Sequence, residues 1–113
     1  VAMVYADGVL RVERVGPPSV VRLAGEVDAD NCVHVRSALD AQRTGYAGDV
    51  CVDAAFLEFI DVAGVRTLVE TAGRMPSGLS VVVRSASVEL CDLVSLAGWD
   101  GAPGLVLEKA VQR

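Results

Sequence analysis

The stretch Phe59-Ile60-Asp61-Val62-Ala63-Gly64 decides how this chain folds. Two large apolar residues close an extended run, a single aspartate follows, and a helical pattern begins. Val62, Val65, Leu68, Val69 and Ala72 recur at steps of three and four, so they fall on one face of a helix. An aspartate directly before such a run suits the N-cap, where a carboxylate accepts a hydrogen bond from an N–H that the first turn leaves free. No hydroxyl, thiol or imidazole lies beside Asp61. The carboxylate therefore reads as a cap and not as a catalytic group.

Working outward, the helix ends at Gly73 and Pro76, and the buried strand before it is placed at Val50 to Asp53, with Phe56, Leu57, Phe59 and Ile60 too apolar for a surface segment. Upstream, VLRVERV (Val9 to Val15) alternates apolar and charged residues. Gly16-Pro17-Pro18-Ser19 interrupts it, and VVRLA (Val20 to Ala24) returns as the second arm of a hairpin. Gly25-Glu26-Val27-Asp28 is its polar exit. Asp28 or Asp30 then caps a helix whose apolar face is Cys32, Val35, Ala38, Leu39 and Gln42, with His34 on its solvated side. Downstream, Leu79 to Arg84 reads as a central strand. A third helix follows, marked by Val88, Cys91, Leu93 or Val94, and Ala97, capped by Ser85 or Ser87, and Leu105 to Leu107 adds a last short strand. Helices alternating with buried strands after a hairpin predict an α/β fold with a mixed sheet. Residues 1–8 are assigned to an N-terminal extension and 9–113 to one domain.

Composition agrees with that plan and excludes several functions. A chain of 113 residues, 52% hydrophobic, holds one aliphatic core and no second domain. Apolar runs such as Leu79 to Val83 are far shorter than the roughly 20 residues of a membrane span, and the first residues carry no signal pattern. A soluble, cytoplasmic protein is the expectation. A net charge of −5 with scattered basic residues argues against nucleic-acid binding. Cys32, Cys51 and Cys91 are odd in number and widely spaced, so they read as buried thiols acting as small hydrophobes rather than a disulfide or zinc set. The alternative is redox control through a pair of them.

Catalytic arrangements are missing. There is no GxxxxGK[ST] phosphate loop, no GxSxG turn and only one imidazole, His34. Asp49, Asp53, Glu58 and Asp61 cluster in sequence, but they flank a strand or cap a helix, so neither a metal site nor a cofactor is expected.

Gly25-Glu26-Val27-Asp28 after the second strand, Phe59-Ile60-Asp61 followed by Gly64, and Leu96-Ala97-Gly98 closing the third helix together resemble the STAS family, the sulphate-transporter and anti-sigma-factor-antagonist domain. The resemblance spans about Val9 to Val111. It implies a four-to-five-stranded mixed sheet with helices mainly on one side, and a role in binding rather than catalysis. Free-standing members bind an anti-sigma factor, commonly a serine kinase, and so release a sigma factor. In them a Ser or Thr follows the aspartate and is phosphorylated to switch binding off. Here that position is Val62 and the next is Ala63, so the phosphosite is degenerate. Thr67 points about 140° away around the helix and Thr71 lies nearly opposite.

The expected function is therefore a non-catalytic anti-sigma factor antagonist. It engages a serine-kinase-type anti-sigma factor or related partner through Glu26, Asp28, Asp61, Val62, Ala63 and Gly64, without phosphorylation control. A weak homodimer is a further expectation. The alternative is a scaffold or ligand-sensing module, for nucleotides or lipids, in a larger signalling or transport assembly.

Overall fold

Apolar and polar residues alternate along Leu10–Val15 (β2) and Val20–Val27 (β3), so one face of each strand is buried. The two pair antiparallel from Leu10 opposite Gly25 to Val15 opposite Val20. The computed structural model describes residues 1–111, and residues 112 and 113 of the assigned domain lie outside the described residues. After the hairpin the chain alternates α1 (Cys32–Gly45), β4 (Val50–Ile60), α2 (Val62–Gly73), β5 (Val81–Ala86), α3 (Val88–Leu96) and β6 (Leu105–Lys109). Strands β3, β4, β5 and β6 are parallel neighbours in sequence order. Every crossover therefore steps in the same direction across the sheet. Right-handed crossovers that all step one way put every helix on one face, which is the expected one-sided arrangement.

Among the described residues the sheet has six strands rather than four to five. The additional strand, β1 (Ala2–Ala6), comes from the residues read as an N-terminal extension and pairs antiparallel with β2. Tyr5 holds it to the helical layer by stacking on His34 of α1, with ring centroids 3.6 Å apart and planes at 10°. His34 is thus stacked against an aromatic ring and not a freely solvated histidine. Asp7 orders the β1–β2 turn: its carboxylate accepts from the N–H groups of Val9 and Leu10 and from the Tyr5 hydroxyl at 2.6 Å.

The core lies between the sheet and the helices. It is built from Leu10, Val12, Val21, Leu23, Val50, Val52, Val81 and Val83 of the strands with Val35, Leu39, Val65, Leu68 and Leu90 of the helices. Helix α1 buries Val35, Ala38, Leu39 and Gln42 as its periodicity predicts, and the Gln42 amide donates to the Ser19 carbonyl in the β2–β3 turn. Helix α3 is capped by Ser87, whose hydroxyl accepts from Leu90 N.

Strand β4 departs furthest from the expectation. It runs to Ile60 instead of ending near Asp53. Its partner β5 leaves it at Asp53, and two register shifts against β3 turn its far half outward. Phe56 is 56% exposed and Phe59 52%, so these rings are surface residues and not part of the core.

Candidate functional site

Because the four parallel strands share a direction, the ends of β3, β4 and β5, where α1, α2 and α3 begin, lie along one edge of the sheet. This is the edge at which open α/β sheets place their binding sites. The Glu26–Asp28 segment ends β3 and the Asp61–Gly64 segment follows β4. The two come together through the pairing of Glu26 with Phe59 and Val27 with Ile60, and through the Asp61 N–H donating to the Val27 carbonyl at 3.1 Å.

Two carboxylates there hold backbone. Asp61 is extended, and its Oδ1 accepts from Gly64 N at 3.0 Å, which makes it the N-cap of α2. Asp28 Oδ1 accepts from the N–H groups of Asp30 and Asn31, and the Asp28 carbonyl accepts from Cys32 N. Asn31 completes this turn: its Oδ1 accepts from Asp28 N at 2.9 Å and its Nδ2 donates to the Glu26 carbonyl at 2.9 Å. Asn31 is buried, and it rather than Asp28 or Asp30 stands at the N-cap position of α1. Its signal was its place immediately before the first helical residue. Glu26 is left exposed, with its side chain free of hydrogen bonds among the described residues.

Two glycines near this edge sit where the chain packs too closely for a side chain. Gly25 has φ +96, and a Cβ there would run into the Val9 carbonyl oxygen. Gly64 is buried; a Cβ on it would sit 2.6 Å from Ile60 Cγ1 and 2.8 Å from Val27 Cγ1. Helix α2 thereby starts in contact with the ends of β3 and β4.

Val62, expected on the apolar face of α2, is instead 45% exposed at the first helical position. Ala63 is half-buried beside it. Phe59 near the end of β4 and Val33 at the start of α1 are further exposed apolar side chains, at 52% and 51%. Thr67 and Thr71 are 0% exposed, and their hydroxyls donate to the carbonyls four residues back, Ala63 and Thr67. Neither presents a hydroxyl at the surface where Val62 lies.

Among the described residues no group of three or more His, Cys, Asp or Glu side chains is arranged to hold a metal ion. Asp49 accepts from Ser80 N and Asp53 pairs with Arg22 at 3.3 Å, so both are occupied in holding strands. The three cysteines are free and only partly buried. Cys32 and Cys91 pack against the core from the helices, while Cys51 lies on the helix-free face with the Arg84 guanidinium 3.6 Å from its sulfur.

The fold matches the crystal structure of an anti-sigma factor antagonist from Mycobacterium paratuberculosis with a TM-score of 0.69 at 22% identity. The match covers 89% of this chain and 88% of that one. No curated protein matches the chain. The family described as "Mlab, STAS domain" matches residues 10–108, from the first residue of β2 to the penultimate residue of β6. With the hairpin, the one-sided helices and the capped β4–α2 junction in place, the chain belongs to the STAS domain family.

Proposed function

We propose that this protein is a regulatory binding module of the anti-sigma factor antagonist kind, whose docking surface is the edge carrying Glu26, Asp28, Asp61, Val62, Ala63 and Gly64. The observation that carries the reading is Val62, an exposed branched apolar side chain at the first turn of a helix capped by the Asp61 carboxylate. Exposed apolar groups suit the centre of a protein contact, with a charged rim setting orientation and partner choice. The partner is an anti-sigma factor of the serine-kinase type or a related regulator, and the matching surface on it is apolar with basic groups at its margin.

Control by phosphorylation at the helix start is absent in this reading. A phosphoryl group at the first turn of α2 would be well tolerated by this chain, since the helix N-terminus favours negative charge, and its effect would fall on the partner. Val62 has no oxygen to accept it. The complex is accordingly constitutive, set by concentration rather than by ATP.

Mixing the purified protein with the cognate anti-sigma factors, and repeating the mixture with Val62→Glu, tests this. The proposal expects a complex with the wild type and a weaker one with the variant, because an unpaired carboxylate is brought into a desolvated contact. No complex with any of them sinks the assignment. Equal affinity of the variant moves the docking surface elsewhere. A scaffold or ligand-sensing role in a larger assembly is the second reading, favoured by the same missing hydroxyl. A thermal shift with nucleotides or lipids, in the absence of any anti-sigma complex, would select it.

A further inference from the structure

The face of the sheet opposite the helices carries a row of side chains whose signs alternate across four strands. Glu13 of β2 is paired with Arg22 of β3, Arg22 with Asp53 of β4, and Asp53 with Arg84 of β5. Directly paired residues share a face, and the neighbours of this row along each strand, Val12, Val21, Leu23, Val52 and Val83, are all in the core. The row therefore reads minus, plus, minus, plus on the helix-free side. On one side of it lies an apolar row: Val15 paired with Val20, then Cys51 paired with Val82, and Val82 with Val106. On the other side Ala24 is paired with Phe56. Among the described residues, no helix packs over this face.

We propose that this face is the contact between two copies of the protein, stacked sheet on sheet about a two-fold axis that runs parallel to the strands between β3 and β4. Such an axis reverses the order of the strands in the facing copy. Glu13 then lies opposite the partner's Arg84, and Arg22 opposite the partner's Asp53. Each of the four charges meets its opposite, and a charge reversed at one end of the row meets its like. The other two-fold arrangement, with the axis along the row, sets every charge against its own sign and is disfavoured. The same operation places Phe56 opposite the partner's Ala24, a large side chain against a small one. It also sets Val20 against the partner's Cys51 and Val15 against the partner's Val82, apolar on apolar. Stacked sheets keep their strands within about 30° of one another at a spacing of about 10 Å, which long side chains such as these bridge.

The area bounds the strength. Six strands about 4.8 Å apart and about 20 Å long give a face of roughly 500 Å² per copy. The two copies together bury on the order of 1,000 Å², at the low end of specific interfaces. The dimer is reversible. The contact does not use Val62 or the start of α2, so a failed dimer leaves the anti-sigma reading standing.

Sedimentation velocity over a concentration series tests the arrangement with two variants whose altered side chains do not touch each other within one chain. Glu13→Arg gives the order plus, plus, minus, plus, and Arg84→Glu gives minus, plus, minus, minus. Each alone sets two like pairs against one another in its own dimer, whereas one copy of each restores all four opposite pairs. The wild type is expected to show a concentration-dependent monomer–dimer equilibrium that weakens with salt. Each variant alone is expected to dissociate at least tenfold more readily, and the equimolar mixture to regain a dimer. Circular dichroism melts of the variants verify that each is folded, and Glu13→Gln, which adds no repulsion, is expected to weaken the dimer less than Glu13→Arg. A wild type that stays monomeric throughout, variants that dimerise as it does, or a mixture of folded variants that does not recover would each overturn the proposal.

Discussion

The carboxylate of Asp61 accepts the backbone N–H of Gly64 at 3.0 Å, while the Cα of Gly64 lies so close to Ile60 and Val27 that no side chain fits on it. One bond and one missing side chain thus set where α2 begins relative to β3 and β4, and both support the surface on which Val62 is displayed.

Replacing Asp61 by alanine removes the cap and leaves a first-turn N–H without its partner. The expected loss is about 1 kcal/mol, within the usual ~0.5–2 kcal/mol for such caps, and Asp61→Asn should recover most of it. Urea unfolding of the three proteins is the measurement.

Gly64→Ala forces a methyl group to within 2.6 Å of Ile60 Cγ1 and 2.8 Å of Val27 Cγ1. Overpacking of this kind costs roughly 1–3 kcal/mol, and here the strain shifts the start of α2. Equilibrium unfolding is expected to show the loss, with the amide resonances of Asp61 to Val65 moving in the folded variant. Unchanged stability would mean that the helix start slides without cost.

Much of this junction was legible because its signals are local. An aspartate before an apolar helical period announces a cap, and the hairpin and the α1 face follow from alternation and three-four spacing within short windows. What escaped the sequence depends on contacts between distant residues. β1 is held by Tyr5 stacking on His34, a contact across α1 that no local pattern in the first residues reveals. Phe56 and Phe59 read as core because they are aromatic and sit in an apolar run, yet the register shifts of β4 and the early departure of β5 leave them in solvent. By period alone Val62 falls on the buried face, but the first turn of α2 projects beyond the layer that covers that face.

The β1–β2 turn should show a pH dependence of its own. The Tyr5 hydroxyl, followed by the Leu10 and Val9 N–H groups, holds the Asp7 carboxyl down to about 2 from its ordinary 3.8, while the bond to Asp7 raises the Tyr5 phenol. A carboxylate depressed in the folded state stabilises above its unfolded value, and that contribution is lost as pH falls through its folded one. The turn should therefore stay intact down to about pH 4 and loosen between pH 4 and about 2. A carboxyl NMR titration of Asp7, with the Leu10 amide followed in parallel, tests it, and Asp7→Asn should abolish that low-pH step.

Installing the missing hydroxyl separates fold from regulation. Val62 is exposed, so Val62→Ser should change stability by no more than about 0.5 kcal/mol. The same change should create a phosphate acceptor for a serine-kinase-type anti-sigma factor. Mass spectrometry of the variant after incubation with that kinase and ATP is expected to find the phosphate on the introduced serine, with binding reduced as it accumulates.

The most direct test is calorimetric titration of the wild-type protein into the anti-sigma factor proposed as its partner, without ATP and then after prolonged incubation with ATP, followed by intact-mass analysis. A docking surface without its switch predicts the same affinity in both conditions and no phosphate on the protein. Phosphate transfer to the wild type, or a complex that ATP dissolves through modification of this chain, would contradict it.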